Sequence, residues 1–150
     1  MEQNSNYGKA LGAAALKVYK EVVSLLLARG ADISAVDGTA LRAAALSGIK
    51  EIVSLLLDRG ADINAVGGNY GTALGAAAFT GEEKIVSLLL DRGADINAVG
   101  GKYGTALGVA AYKGHEGIVS LLLGRGAGVT FVGGRYETVD GEYHTSRGSG

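Results

Sequence analysis

The 150-residue chain has no cysteine, no proline and no tryptophan, and it lacks long hydrophobic runs. Without cysteine it can form no disulfide and no thiolate metal site, which fits a reducing compartment. The formal net charge of -1 provides no bulk attraction to nucleic acid or to an anionic membrane. The longest strongly apolar runs are short pieces such as IVSLLL, and the N-terminus is polar. We therefore expect a cytoplasmic protein without a transmembrane or secretory segment.

The most informative feature of the sequence is an internal repeat. Residues 55–75 read LLLDRGADINAVGGNYGTALG, and residues 88–108 repeat them with a single change, Asn69 to Lys102. Near-verbatim repetition indicates a surface built by stacking one unit, whereas an active site is assembled once from scattered residues. Alignment on this block predicts a single domain over residues 1–150. It contains repeats at about 7–36, 37–66, 67–99 and 100–132, followed by a tail at 133–150.

Each unit contains two short apolar stretches with helical spacing. In the third unit Leu74 and Ala77 stand three residues apart, Thr72 occupies a helix N-cap position, and Gly93 follows the second stretch, where a left-handed residue is needed. Helices of about ten residues are unstable alone in water, so each unit must bury its apolar side against the next. Small residues at one position of the first helices should allow close approach: Ala14, Ala44, Ala77 and Ala110.

The unit GTALGAAAFTGEEKIVSLLLDRGADINAVGGKY resembles an ankyrin repeat, and the resemblance extends over about residues 7–138. It implies an all-α ankyrin-repeat solenoid of four helix-turn-helix units with short β-hairpin loops. It also implies roles for helix-capping threonines (Thr39, Thr72, Thr105), inter-helix turn glycines (Gly81, Gly114) and glycines that end the second helices (Gly30, Gly60, Gly93, Gly126). The phrase GGxYGTAL is similar to the ankyrin arrays attached to large fungal signalling receptors.

Two departures from the pattern stand out. Glycines occur inside the first helices at Gly12, Gly75 and Gly108, where each costs about 1 kcal/mol relative to alanine, and the sequence suggests no reason for them. The second unit is three residues shorter, because AVDGTAL replaces AVGGNYGTAL, and it has Arg42 at the corresponding helix position. A stubby loop is therefore predicted at residues 36–38.

The residues that could carry chemistry form no convergent set. His115 and His144 are far apart in sequence, and the glycine-rich stretches lack the P-loop and dinucleotide patterns. Three aspartates recur once per repeat, at Asp32, Asp62 and Asp95. They are expected to stabilise turns, since a calcium site needs several oxygens within a short loop. We therefore predict no enzyme activity and no catalytic, cofactor-binding or metal-binding residue.

Two classes of function remain open. The resemblance implies a protein-protein interaction module, in which partners bind the concave surface made by the first helices and the hairpin tips. The alternative is a structural or self-associating array, either a fragment of a longer solenoid or a consensus or designed scaffold, which the near-identity of the third and fourth units supports.

The predicted partner-binding residues lie at the ends of the first helices and at the hairpin tips. They are Leu46, Asn69, Tyr70, Phe79, Thr80, Lys102, Tyr103, Tyr112, Lys113 and Arg135. Regular tyrosines can also stack on one another and simply stiffen the hairpins. The residues that differ between otherwise identical units favour recognition, and the basic ones among them predict an acidic protein or peptide partner, with no role for nucleic acid or membrane.

The tail after the fourth unit has two interpretations. Residues 135–145 alternate around Asp140-Gly141, a two-residue hairpin signal, which predicts a β-hairpin that covers the last unit. Alternatively, Tyr136 to Thr138 begin a partial fifth repeat. If neither covers the end, two molecules should stack through their terminal repeats.

Overall fold

A computed structural model describes Ala10, residues 20–28 and 38–128, and the pairs 138–139 and 142–143. Its helices are α1 (Lys20–Ala28), α2 (Thr39–Ser47), α3 (Lys50–Asp58), α4 (Ala73–Thr80), α5 (Glu83–Asp91), α6 (Ala106–Lys113) and α7 (Glu116–Gly124). From α2 onward consecutive helices pack in pairs, and each first helix packs on the first helix of the next pair (α2 on α4, α4 on α6). The predicted all-α solenoid is confirmed.

Glycines end the helices as predicted. Gly81 and Gly114 adopt left-handed φ angles of 82° and 72° at the turns inside the last two pairs. Gly60, Gly93 and Gly126 follow the second helices with φ between 95° and 98°. A left-handed residue at this place lets the chain leave the helix, and glycine adopts it without steric cost. Gly30 lies outside the described residues.

The predicted threonine N-caps are present in two of the three units that the structure describes. Thr72 and Thr105 accept hydrogen bonds from the N–H groups of Gly75 and Gly108 at 3.2 and 3.1 Å. In the second unit the boundary differs: Gly38 is the N-cap residue and Thr39 already begins α2. The shorter loop enters the helix through Gly38 in a left-handed conformation, with φ 77°, so Thr39 does not take the extended conformation of the other two threonines.

The core repeats with the units. Large apolar side chains from both helices of the first two pairs and from α7 are fully buried: Leu41, Ile52, Leu56, Leu74, Ile85, Leu89, Ile118 and Leu122. Ala44, Ala77 and Ala110 are completely buried where the first helices meet, as predicted, while Ala14 lies outside the described residues. Close packing of small and large side chains thus holds each unit against its neighbours.

Ion pairs also connect consecutive units. Arg92 binds Asp58 and Arg125 binds Asp91, each at 2.9 Å, although these pairs are exposed and each stabilises weakly. The predicted turn role of two aspartates is confirmed, since Asp62 and Asp95 accept hydrogen bonds from the backbone two residues ahead at 3.0 Å. Asp32 lies outside the described residues.

In the tail, strands β1 (Thr138–Val139) and β2 (Glu142–Tyr143) pair antiparallel, with Thr138 opposite Tyr143 and Val139 opposite Glu142. Two residues separate the strands, as the Asp140-Gly141 signal predicts. The predicted cover over the last unit lies outside the described residues. Among the helices that the structure describes, none is long and apolar enough to cross a membrane.

Candidate partner-binding surface

Four aromatic rings form a cluster on the first helices and loops of the third and fourth units. Tyr70 in the loop stacks on Phe79 at the end of α4, with ring centroids 4.1 Å apart. Tyr103 stacks in the same way on Tyr112 at the end of α6, at 4.4 Å. Tyr70 and Tyr103 lie nearly parallel, at 6° and 6.4 Å. Each loop tyrosine is therefore fixed mainly by a ring of its own unit, and the predicted tyrosine ladder forms a looser second contact.

The fourth-unit end of this aromatic cluster is open to solvent. Tyr112 is 65% exposed, although its ring is held against Tyr103. Lys102 and Lys113 are exposed beside it, and the Lys113 ammonium lies 4.7 Å from the ring centroid of Phe79 in the preceding unit. The Lys102 ammonium lies 5.8 Å from the ring centroid of Tyr103, so each lysine approaches a ring that stacks within the cluster.

Partial burial, and then a hydrogen bond with Tyr112, raise the pKa of the Tyr103 phenol above its ordinary value. The phenol stays protonated at neutral pH, where it can donate or accept a hydrogen bond.

The loops that carry the tyrosines hold one another through backbone bonds. The N–H of Gly67 donates to the carbonyl of Gly71 at 2.7 Å, and Gly100 donates to Gly104 in the same way. The N–H of Lys102 donates to the carbonyl of Asn69, also at 2.7 Å, and so ties one loop to the next. This last bond fixes how the fourth-unit loop stacks on the third-unit loop, while the other two hold each loop internally.

The structure explains Gly75, for which the sequence suggested no reason. A Cβ atom at this position would collide with the carbonyl oxygen of Tyr70, because the loop backbone folds down onto α4. In the second unit the sequence of this loop is three residues shorter, and Arg42 stands at the equivalent helix position. Its guanidinium lies beside Ala65, whose carbonyl accepts from Nη1 at 3.4 Å. Loop length and the residue at this helix position are therefore coupled.

A groove of about 420 Å³ lies where the second unit is short. It runs between α2 and the loop of the third unit, lined by Thr39, Arg42, Ala43, Leu46, Gly67, Gly68, Asn69, Tyr70 and Ala76. The four residues from α2 follow helical spacing and occupy one face. Arg42 is the single charged residue among the described lining residues.

The predicted site residues occupy related but not identical surroundings. Leu46, Asn69 and Tyr70 line the groove, while Tyr103, Tyr112, Lys102 and Lys113 form the exposed end. The Thr80 hydroxyl is half-buried and bonds back to the carbonyls of Ala76 and Ala77. Arg135 lies outside the described residues.

Sequence reasoning did not single out, as part of this surface, six residues that line the groove: Thr39, Arg42, Ala43, Gly67, Gly68 and Ala76. The available signal was the coincidence of the three-residue deletion with Arg42 in place of glycine. Within the described residues, no three His, Cys, Asp or Glu side chains lie close enough to hold a metal ion.

Comparison with known families agrees with the repeated helix pairs. The family profile described as "Ankyrin repeats (3 copies)" matches residues 1–67 and 64–132, and therefore most of the chain. The chain belongs to the ankyrin-repeat family. Members of this family generally act as non-enzymatic protein-protein interaction modules. No match to the chain is found among curated proteins.

Proposed function

We propose that this protein binds an acidic protein or peptide in the cytoplasm through the concave surface of its first helices and loop tips. The contact residues are those predicted from the sequence: Leu46, Asn69, Tyr70, Phe79, Thr80, Lys102, Tyr103, Tyr112, Lys113 and Arg135. We call this set the first-helix surface.

The observation that carries the proposal is the exposure of Tyr112. An aromatic ring that is 65% exposed and yet held by stacking on Tyr103 is a preformed anchor, because it loses little freedom when a partner covers it. Lys102 and Lys113 are exposed on the same aromatic cluster, against the rings of Tyr103 and Phe79, and their charges attract an acidic surface. The depression between the second helices α3 and α5 is less suitable, since its lining mixes Lys50 and Lys84 with Glu83 and Asp91.

The test begins with a partner selected from a peptide display library on the intact chain. Tyr112→Ala should weaken binding by about 2 kcal/mol or more, as truncation of an aromatic anchor does. Lys113→Glu should chiefly lower the association rate, and the difference from the unmodified chain should shrink at high salt. If both variants bind normally while substitution of Glu82 or Glu83 abolishes binding, the recognition face is the one formed by the second helices.

Self-association is the second candidate, and the end of the array favours it. Leu123 in α7 is 44% exposed, whereas the equivalent Leu57 and Leu90 are packed partly against the core. An apolar side chain left open on a terminal repeat suits stacking against a second copy. Sedimentation of the intact chain should then show association that Leu123→Glu abolishes, and a monomer at every concentration would exclude this candidate.

A further inference from the structure

The groove on α2 lies where the repeat pattern would place another tyrosine. In the third unit Tyr70 covers Phe79, and in the fourth Tyr103 covers Tyr112. In the second unit Leu46 occupies the equivalent end of the first helix, but the loop sequence AVDGTAL contains no tyrosine to cover it. The groove over Leu46 is thus bounded on one side by Tyr70 and has no ring of its own unit.

The backbone beside the groove has an unused donor. Lys102 N–H donates to the carbonyl of Asn69 in the preceding loop, and Asn69 is the residue in register one unit earlier. In the part of the chain that the structure describes, the N–H of Asn69 has no acceptor. Asn69 lines the groove, and by register with Lys102 its N–H corresponds to the donor that meets the carbonyl of a preceding loop.

Gly101 and Gly68, which directly precede Lys102 and Asn69, also differ in what lies next to them. A Cβ on Gly101 would lie 2.5 Å from the carbonyl oxygen of Asn69, because the third-unit loop packs against it. Gly68 has nearly the same φ, 71° against 72°, but a Cβ there would meet nothing within 4 Å. Among the residues that the structure describes, nothing fills beside Gly68 the space that the third-unit loop fills beside Gly101.

We infer that this groove binds an extended peptide segment of the partner that carries a tyrosine or phenylalanine side chain. The ring covers Leu46 beside Tyr70, and the backbone carbonyl of the residue before the aromatic accepts from Asn69 N–H. The two internal copies define this chemistry, since Asn69-Tyr70 and Lys102-Tyr103 occupy the equivalent positions in their own units. The volume of about 420 Å³ falls within the range of ligand pockets and admits one aromatic side chain. The inference rests on the proposed function, because it assigns one contact within the first-helix surface.

The probe is the chain's own loop sequence supplied in trans. We would titrate the isotope-labelled full chain with the acetylated, amidated peptide VGGNYGT and with versions that have phenylalanine or alanine in place of tyrosine. The tyrosine and phenylalanine peptides should cause saturable NMR shifts of the Asn69 amide and the Leu46 methyls, with a dissociation constant of about 1 mM, as expected for a small flexible ligand. The alanine peptide should bind at least about tenfold more weakly, because it lacks the stacking ring.

A variant of the chain itself, which we call the filled variant, places a tyrosine loop over the groove. Residues 36–38 are replaced by VGGNYG and Arg42→Gly is added, which copies the third unit. This variant should lose the peptide-induced shifts, while Lys84→Ala, an exposed change on α5, should keep them. Reversible unfolding of the filled variant, with at least the stability of the unmodified chain, shows that the added loop has folded onto α2.

Three results would overturn the inference. They are the absence of saturable shifts at Asn69 and Leu46, equal binding of the alanine peptide, and undiminished binding by a folded filled variant. Peptide-induced shifts confined to Tyr112 would exclude this groove while supporting the proposed function. Shifts of Asn69 that grow with protein concentration alone would assign the groove to a second copy of the chain.

Discussion

Replacement of Gly75 by alanine is a direct test of how the tyrosine loop packs on its helix. In an unobstructed helix this change stabilises by about 1 kcal/mol, because alanine loses less backbone entropy than glycine. Here the added Cβ collides with the carbonyl oxygen of Tyr70, which belongs to the backbone and cannot rotate away as a side chain would. We therefore expect Gly75→Ala to lower the free energy of unfolding.

The magnitude follows from the contacts that the loop must give up. Moving the loop separates Tyr70 from Phe79, a stack 4.1 Å between centroids that contributes about 0.5–1.5 kcal/mol. It also strains the bond from Lys102 N–H to the Asn69 carbonyl, worth about 1 kcal/mol. Overpacking of a filled site typically costs about 1–3 kcal/mol. After the helix-propensity gain, we expect Gly75→Ala to destabilise by about 1–3 kcal/mol.

Urea unfolding followed by far-UV circular dichroism measures this difference. Gly124→Ala is the matched control, because Gly124 ends α7, is exposed, and has nothing within 4 Å of a built Cβ. It should be neutral or stabilise by up to about 1 kcal/mol. If Gly75→Ala stabilises the chain as much as Gly124→Ala does, the loop does not rest on α4 as described.

Three further predictions address the core, the cap and the phenols. Leu89 is completely buried, so Leu89→Ala should lower the free energy of unfolding by about 2–5 kcal/mol. The same change at Leu123, which is 44% exposed, should cost much less. An effect below about 0.5 kcal/mol at Leu89 would contradict the described packing of α5. Thr72→Ala should destabilise by about 0.5–2 kcal/mol through loss of the bond from Gly75 N–H, and Thr72→Ser should restore most of it in the same urea assay. Because the pKa of Tyr103 is raised in the folded chain, the protonated phenol contributes to the free energy of unfolding. This contribution is present below the pKa that Tyr103 has in the unfolded chain, and it is lost as pH rises through the pKa of the folded chain. Tyr112→Phe should bring the pKa of Tyr103 closer to its ordinary value in an ultraviolet titration, and an unchanged pKa would show that the Tyr112 hydroxyl does not act on it.

Those parts of the fold that depend on local chemistry could be predicted from the sequence. Gly81 and Gly114 mark turns because a left-handed residue must be glycine there, and Thr72 marks a helix start because its hydroxyl reaches the third N–H. The pairing of helices followed from the repeat itself, since one short amphipathic helix cannot bury its apolar face alone.

What the sequence could not predict depends on contacts between separate segments. The role of Gly75 requires knowing that the Tyr70 carbonyl rests on it, and the groove requires knowing that Leu46 and Asn69 face the same space. The sequence nevertheless contained a pattern that relates to both the role of Gly75 and the groove. Tyr70 and Tyr103 each precede a helix glycine by five residues, whereas the unit without this tyrosine has Arg42.

Stacking and recognition are compatible roles for the tyrosines. The ring of Tyr103 is fixed by Tyr112, so the pair is ordered before any partner arrives, and a partner that covers Tyr112 immobilises little that was mobile. The neighbouring positions then distinguish the units: Asn69 beside one tyrosine becomes Lys102 beside the next, although the two loops have the same internal backbone bonds. Because a change of charge at a fixed backbone position alters attraction without altering the scaffold, the rings can supply affinity while these variable residues select the partner.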